Sequence, residues 1–321
     1  MNKIIRLKKL PVVLSIFMCL NSFFVYAEKT NSVPKFVSDF AVDANSGINL
    51  QLGKQYFTGF ESLDEYKGFY IVPQNYMNSS THTLSNEQAI SGNAHKAYIY
   101  AANEYSDVKN NSHREYPAFK LENLPTGVIS TAALIEFYVW VDIPLRKGKG
   151  EDWYSLATFS SYADDNWYRA YVFNVNPEHI VYLQHVPQNQ QSIHDIFQTD
   201  SVTIPSKQWV KFTVYIDHQK NNKFNSPFIA VWQDSVLVSA ARLDDRLDMN
   251  YVRSAPVKPR CLDDLQTDST IDQVEQMCGL SYRHGLAQAH FGLYAAPLLS
   301  EGIIYNDDLT ISEIIKTKLS Q

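Results

Sequence analysis

The chain has 321 residues, with 28 basic against 34 acidic side chains and a formal net charge of −6. Its first 27 residues hold Lys3, Arg6, Lys8 and Lys9 and no acid, so their removal takes the charge from −6 to −10. That balance argues against nucleic acid as a partner, because binding a phosphate backbone needs clustered Lys and Arg. An acidic polysaccharide stays open, since a local basic groove can sit on an acidic protein.

The four basic residues lead into an apolar run from Leu10 to Leu20, and Val25-Tyr26-Ala27 then suits a signal-peptidase site. Residues 1–27 are expected to be a signal peptide and the mature chain to be exported, to the periplasm or beyond. No later run approaches the roughly 20 apolar residues of a membrane-spanning helix. Residues 28–50 look like a leader that adds an edge strand, and residues 51–321 are expected to form one domain.

From there the apolar period is two almost everywhere. Strands are expected near 56–61, 68–72, 96–101, 117–122, 133–142, 153–160, 167–175, 179–186, 209–217, 228–233, 236–240, 288–295 and 308–314. In "ALIEFYVWVD" (133–142), Ile135, Phe137, Val139 and Val141 form one face, and Glu136, Tyr138, Trp140 and Asp142 the other. In "WVKFTVYID" (209–217), Val210, Phe212, Val214 and Ile216 alternate with polar residues in the same way. Gln233-Asp234-Ser235 between two apolar runs reads as a hairpin turn. Many strands joined by turns, with a helical pattern only at 271–277, mean an all-β sandwich or barrel. Cys261 and Cys278 are the two cysteines after residue 27. In an exported chain they are expected to pair, closing a loop of about 17 residues and contributing roughly 3 kcal/mol.

"YFTGFES" near the start and "HFGLYAAP…IIYNDDLTISEI" near the end resemble the terminal strands of the concanavalin A-like jelly roll. The resemblance implies a two-sheet antiparallel β-sandwich whose concave sheet carries a sugar. Within that superfamily the chain is most similar to alginate-lyase-type polysaccharide lyases. "HREYPAFK" (113–120) resembles their R-x-E-x-R strand, "LQH" (183–185) their Q-[IV]-H strand, and "AHFGLY" (289–294) their Y-F-K-x-G-x-Y strand. The first lacks its second arginine in register, the second the residue between Gln and His, and the third its lysine.

The resemblance implies an acidic, uronate-containing glycan as substrate and β-elimination as the reaction. Arg114 and Gln184 would then hold the sugar carboxylate, His185 would take the proton, and Tyr294 would donate one. Strand parity places Arg114, Tyr116 and Lys120 on one face, and His290 with Tyr294 on one face. If Val181 and Leu183 are core, a regular strand turns His185 inward with them and leaves Tyr182 and Gln184 in the groove; His290 is then the better candidate base. Trp140 and Trp232 are candidate sugar platforms. No cofactor is required for this chemistry, although some domains of this fold hold a structural calcium, with Glu61, Asp307 and Asp308 as its expected ligands here. The alternative is a carbohydrate-binding or adhesion module without activity. The E-x-D-x-x-E strand of the retaining glucanases of this fold, G-x-S-x-G and H-E-x-x-H are all missing.

Overall fold

The computed structural model describes residues 31–66, 69–70, 80–99, 113–115, 117–145, 153–160, 170–186, 196–219, 227–242, 285–295 and 301–318. Residues 1–27, expected to be a signal peptide, Tyr116, the helical pattern expected at 271–277, and Cys261 with Cys278 lie outside them. Among the described residues no helix is long and apolar enough to cross a membrane.

One helix, α1 (Lys35–Ala41), precedes the strands β1 (Ile48–Thr58), β2 (Phe69–Tyr70), β3 (Ser80–Ser85), β4 (Ala94–Ile99), β5 (His113–Glu115) and β6 (Ala118–Lys120). Then come β7 (Ala132–Asp142), β8 (Tyr154–Ser160), β9 (Ala170–Val175), β10 (Val181–Val186) and β11 (Ile196–Gln198). The series ends with β12 (Trp209–Asp217), β13 (Phe228–Gln233), β14 (Val236–Arg242), β15 (Gln288–Ala295) and β16 (Gly302–Lys318).

They form two antiparallel sheets, the β-sandwich that the alternation leads one to expect and the jelly roll that the resemblance implies. The nine-stranded sheet runs β11-β14-β13-β12-β7-β16-β4-β3, with β1 added to β16. The seven-stranded sheet runs β10-β9-β8-β15-β6-β2, with β5 added to β15. Between them lies one apolar layer that contains Ile135, Phe137, Val139 and Val141 of β7 and Val210, Phe212, Val214 and Ile216 of β12. Opposite stand Phe159, Phe173, Leu183, Phe291 and Leu293 of the other sheet. The β13–β14 hairpin turns on two residues, Asp234 and Ser235, both at positive φ as a type I′ turn requires.

The leader differs from the expected edge strand. Residues 35–41 are helical, and the strand begins at Ile48 and continues to Thr58. A seven-residue helix is too short to stand on propensity, so tertiary packing holds it. Phe36 and Phe40 of α1 lie 5.5 and 5.4 Å from the ring of Trp232.

That packing corrects the role of both candidate tryptophans. Trp232 lies on the outer face of the nine-stranded sheet, 2% exposed beneath α1. Trp140 lies on that face too, buried edge-on to Tyr305 at 5.3 Å. Neither ring faces the seven-stranded sheet. Alternation along a strand gives a residue an inside or an outside, but it leaves open which sheet that outside belongs to.

Candidate functional site

The residues singled out by resemblance fall mainly on the outer face of the seven-stranded sheet. On β15 the core residues Ala289, Phe291 and Leu293 alternate with Gln288, His290, Gly292 and Tyr294. Gln288 pairs in register with Lys120 of β6 and Ser160 of β8, and His290 with Ala118 and Thr158. Tyr294 pairs with Ser155 on one side and with Arg114 of β5 on the other. Gln288, His290 and Tyr294, the register position of Arg114, and Lys120 therefore share one face of adjacent strands. Small polar side chains, Ser155, Thr158 and Ser160, form the buried floor next to them.

The Gln288 carboxamide N–H donates to His290 Nε2 at 2.8 Å. That bond commits the Nε2 lone pair and puts the neutral imidazole's proton on Nδ1. His290 is thus held as a donor more readily than as a base. Tyr294, half-buried, is tilted against Trp153 with ring centroids 5.2 Å apart, which fixes the direction of its phenol.

Gln184 and His185 sit elsewhere. β10 is the edge of the seven-stranded sheet and pairs with β9 without a bulge. His185 stands opposite Tyr171, at the register position shared with Val181 and Leu183, whereas Tyr182 and Gln184 alternate to the outer face. Gln184 accepts a hydrogen bond from Asn174 Nδ2 at 3.0 Å. Three strand spacings of about 4.8 Å separate β10 from β15, so Gln184 lies roughly 14 Å from the Tyr294 strand. The four residues assigned by resemblance do not converge.

Gln288 was missed, although a signal for it exists. "QAH" (288–290) has the Q-x-H spacing that "LQH" lacks, and that spacing is what puts both side chains on one face. Glu115 was missed as well. It stands in register with the core residue Leu293, and its carboxylate pairs with His82 Nδ1 of β3, which ties the two sheets together at their open side.

The acidic trio comes together at one corner. β16 pairs first with β4 and then with β1, and a bulge at Asp307 and Asp308 marks the change of partner. Asp308 adopts φ 47° there. Asp307 accepts backbone N–H bonds from Ile90 (2.7 Å) and from Asp308 (2.8 Å). Glu61 accepts one from Asn93 N–H (2.9 Å), and its carboxylate occupies the space a Cβ on Gly92 would fill. Burial, together with the neighbouring Asp308 and Glu61 charges, pushes Asp307 up to about 7. Burial and the Glu61 charge push Asp308 up to about 6. Asp308 Oδ2 is buried with no hydrogen-bond partner among the described residues. In the same set no three His, Cys, Asp or Glu side chains are grouped so as to hold a metal ion. Calcium would thus find two carboxylates near neutrality and an unpaired oxygen, but an incomplete protein ligand set.

These shifts have a sign. A carboxyl whose folded pKa is raised contributes stability at low pH that is lost as pH climbs toward the folded value. Asp308 is expected to cost stability progressively between about pH 4 and 7. His95, pushed down to about 3 by burial and then by the His82 charge, has the opposite slope below its ordinary pKa. The difference between wild type and Asp308→Asn removes the His95 contribution. Asp308→Asn is expected to match wild type near pH 4 and to be more stable by on the order of 1–2 kcal/mol at pH 7, with Asn also suited to positive φ. Thermal melts of both proteins across that range check this. Repeated in excess calcium, a rise in wild-type Tm that Asp308→Asn abolishes would support a cation at this corner, and equal shifts would exclude one.

No family model and no curated protein matches the chain. Among solved structures it is similar to Cellulose induced protein, Cip1, at 12% identity and a TM-score of 0.46, over 80% of this chain and 96% of that one. It is similar to alginate lyase vAL-1 from Chlorella virus at 8% identity and a TM-score of 0.38, over 73% and 88%. A protein with a galectin-like fold from Bacillus subtilis aligns at 7% identity and a TM-score of 0.43, over 83% and 99%.

Proposed function

We propose that this chain is an exported protein that binds an acidic, uronate-containing polysaccharide on the outer face of its seven-stranded sheet and cleaves it by β-elimination. The observation that carries the reading is the sharing of one face by Gln288, His290 and Tyr294, with Arg114 in register beside Tyr294. β-Elimination requires three things: neutralisation of the sugar carboxylate, removal of the C5 proton, and protonation of the oxygen leaving C4. The C5–H bond breaks, a C4–C5 double bond forms, and the C4–O bond releases its electrons to the departing sugar. Arg114 and the Gln288–His290 pair supply positive charge and donors for the first task. Tyr294 carries the proton, taking it from C5 as phenolate and returning it to the leaving oxygen as phenol. Tyr182, Gln184 and Lys120 are binding residues along the same face.

A second reading, glycan binding without turnover, is favoured by one observation: Gln184 and His185 of β10 lie three strands from Tyr294, so the Gln and His that the resemblance implies do not join it. One experiment separates the two. The mature protein is incubated with a panel of uronate polysaccharides while the ultraviolet absorbance of the unsaturated product is followed. A rising signal on at least one polymer is expected. Retention of the protein by such a polymer in affinity electrophoresis, with no absorbance on any, would leave binding alone.

A further inference from the structure

β5 is three residues long, and its ladder is made with β15. That ladder sets Arg114 opposite Tyr294 and Glu115 opposite Leu293. Successive strand positions face opposite sides, so Glu115, buried, points inward with the core residue Leu293. The register position of Arg114 then lies on the outer face. β3 of the other sheet answers Glu115 with His82. In register with His82 stands Ala97 of β4, a fully buried core residue, so His82 also points between the sheets. Its Nδ1 meets the Glu115 carboxylate. An ionised carboxylate only accepts, so this Nδ1 carries the hydrogen. The buried His95 backs the His82 ring at 5.7 Å, and Phe60 backs His95 at 5.8 Å. A Cβ on Gly292 would lie 3.3 Å from His95 Cε1 and 2.4 Å from the Glu115 carbonyl oxygen. β4, β5 and β15 thus meet beside the pair with no room for another side chain.

A buried ion pair is a poor fastener for two sheets. Desolvation offsets much of its attraction, and an apolar pair of similar volume often holds as well or better. What the pair adds is direction, because a hydrogen bond fixes where the short strand sits. We infer, given the glycan-face reading above on which this rests, that Glu115 and His82 are positioning residues for sugar-carboxylate recognition. Their bond, made to the opposite sheet, sets the place of β5 and so keeps Arg114 in register beside Tyr294. Neither residue touches the glycan; both act through Arg114.

Calorimetry compares a uronate trisaccharide with its methyl ester, which keeps the sugar rings and removes the carboxylate charge. Wild type is expected to prefer the free acid by about tenfold, the worth of a hydrogen-bonded charge. The double variant His82→Leu with Glu115→Met replaces the pair by apolar side chains and is expected to melt near wild type. It is expected to bind the acid about tenfold more weakly and the ester as before. Glu115→Gln still accepts from Nδ1–H and is expected to restore most of the acid affinity. Unchanged acid affinity in the double variant, an equal loss for acid and ester, or a double variant that does not fold would each overturn the inference. A wild type that binds neither trisaccharide, or both alike, would overturn the glycan-face reading, and the inference with it.

Discussion

Phe291→Ala is expected to cost about 3–5 kcal/mol of folding stability, the range for deleting a buried phenyl ring. Phe291 is 1% exposed, and its ring meets Phe137 at 5.1 Å, Phe119 at 5.5 Å and Phe159 at 5.8 Å. Phe137 belongs to the nine-stranded sheet and the other two to the seven-stranded one, so this ring fastens the two layers. It also stands between His290 and Gly292 on the strand that carries the candidate site. The neighbouring Gly292 adds a second constraint, because at φ 110° a Cβ would lie 2.4 Å from the Glu115 carbonyl oxygen. Gly292→Ala is therefore expected to displace β5, and with it the register of Arg114 against Tyr294. Denaturant unfolding measures both. A loss below 1 kcal/mol for Phe291→Ala would mean the sheets are not joined there.

The second large effect is chemical. Tyr294→Phe keeps the ring against Trp153 and removes only the hydroxyl, so the fold is expected to be unchanged. If that hydroxyl carries the proton, turnover falls by about 10²–10⁴-fold, the usual contribution of a positioned acid or base. KM changes little, because an interaction used mainly in the transition state leaves ground-state binding intact. His290→Ala is expected to act on both, since it removes a carboxylate donor and the partner of Gln288. A Tyr294→Phe enzyme of full activity would take the proton transfer away from this residue.

Much of this fold can be read from the sequence. The alternation in β7, β12 and β15 marks their buried sides, and the turn residues Asp234 and Ser235 mark the hairpin. What alternation lacks is sheet order. Nothing local in "VYLQHV" says that β9 and β8 will stand between it and β15, because strand neighbours are chosen by contacts far apart in the chain. The same limit applies to Trp140 and Trp232, which lie on the outer face of the nine-stranded sheet and not on that of the seven-stranded one. His185 illustrates the opposite case: with no bulge in β10, parity places it with the core positions, as a regular strand requires. Gln288 was legible in principle, since the spacing of "QAH" already implies one face.

The claim that matters most is that the glycan site centres on β15 and not on β10. Rates of unsaturated-product formation from a polyuronate, measured side by side for wild type, Tyr294→Phe and Gln184→Ala, test it most directly. The expected result is a loss of at least about 10²-fold for Tyr294→Phe and a change of only a few-fold for Gln184→Ala. The reverse pattern, with Gln184→Ala inactive and Tyr294→Phe near wild type, would contradict it.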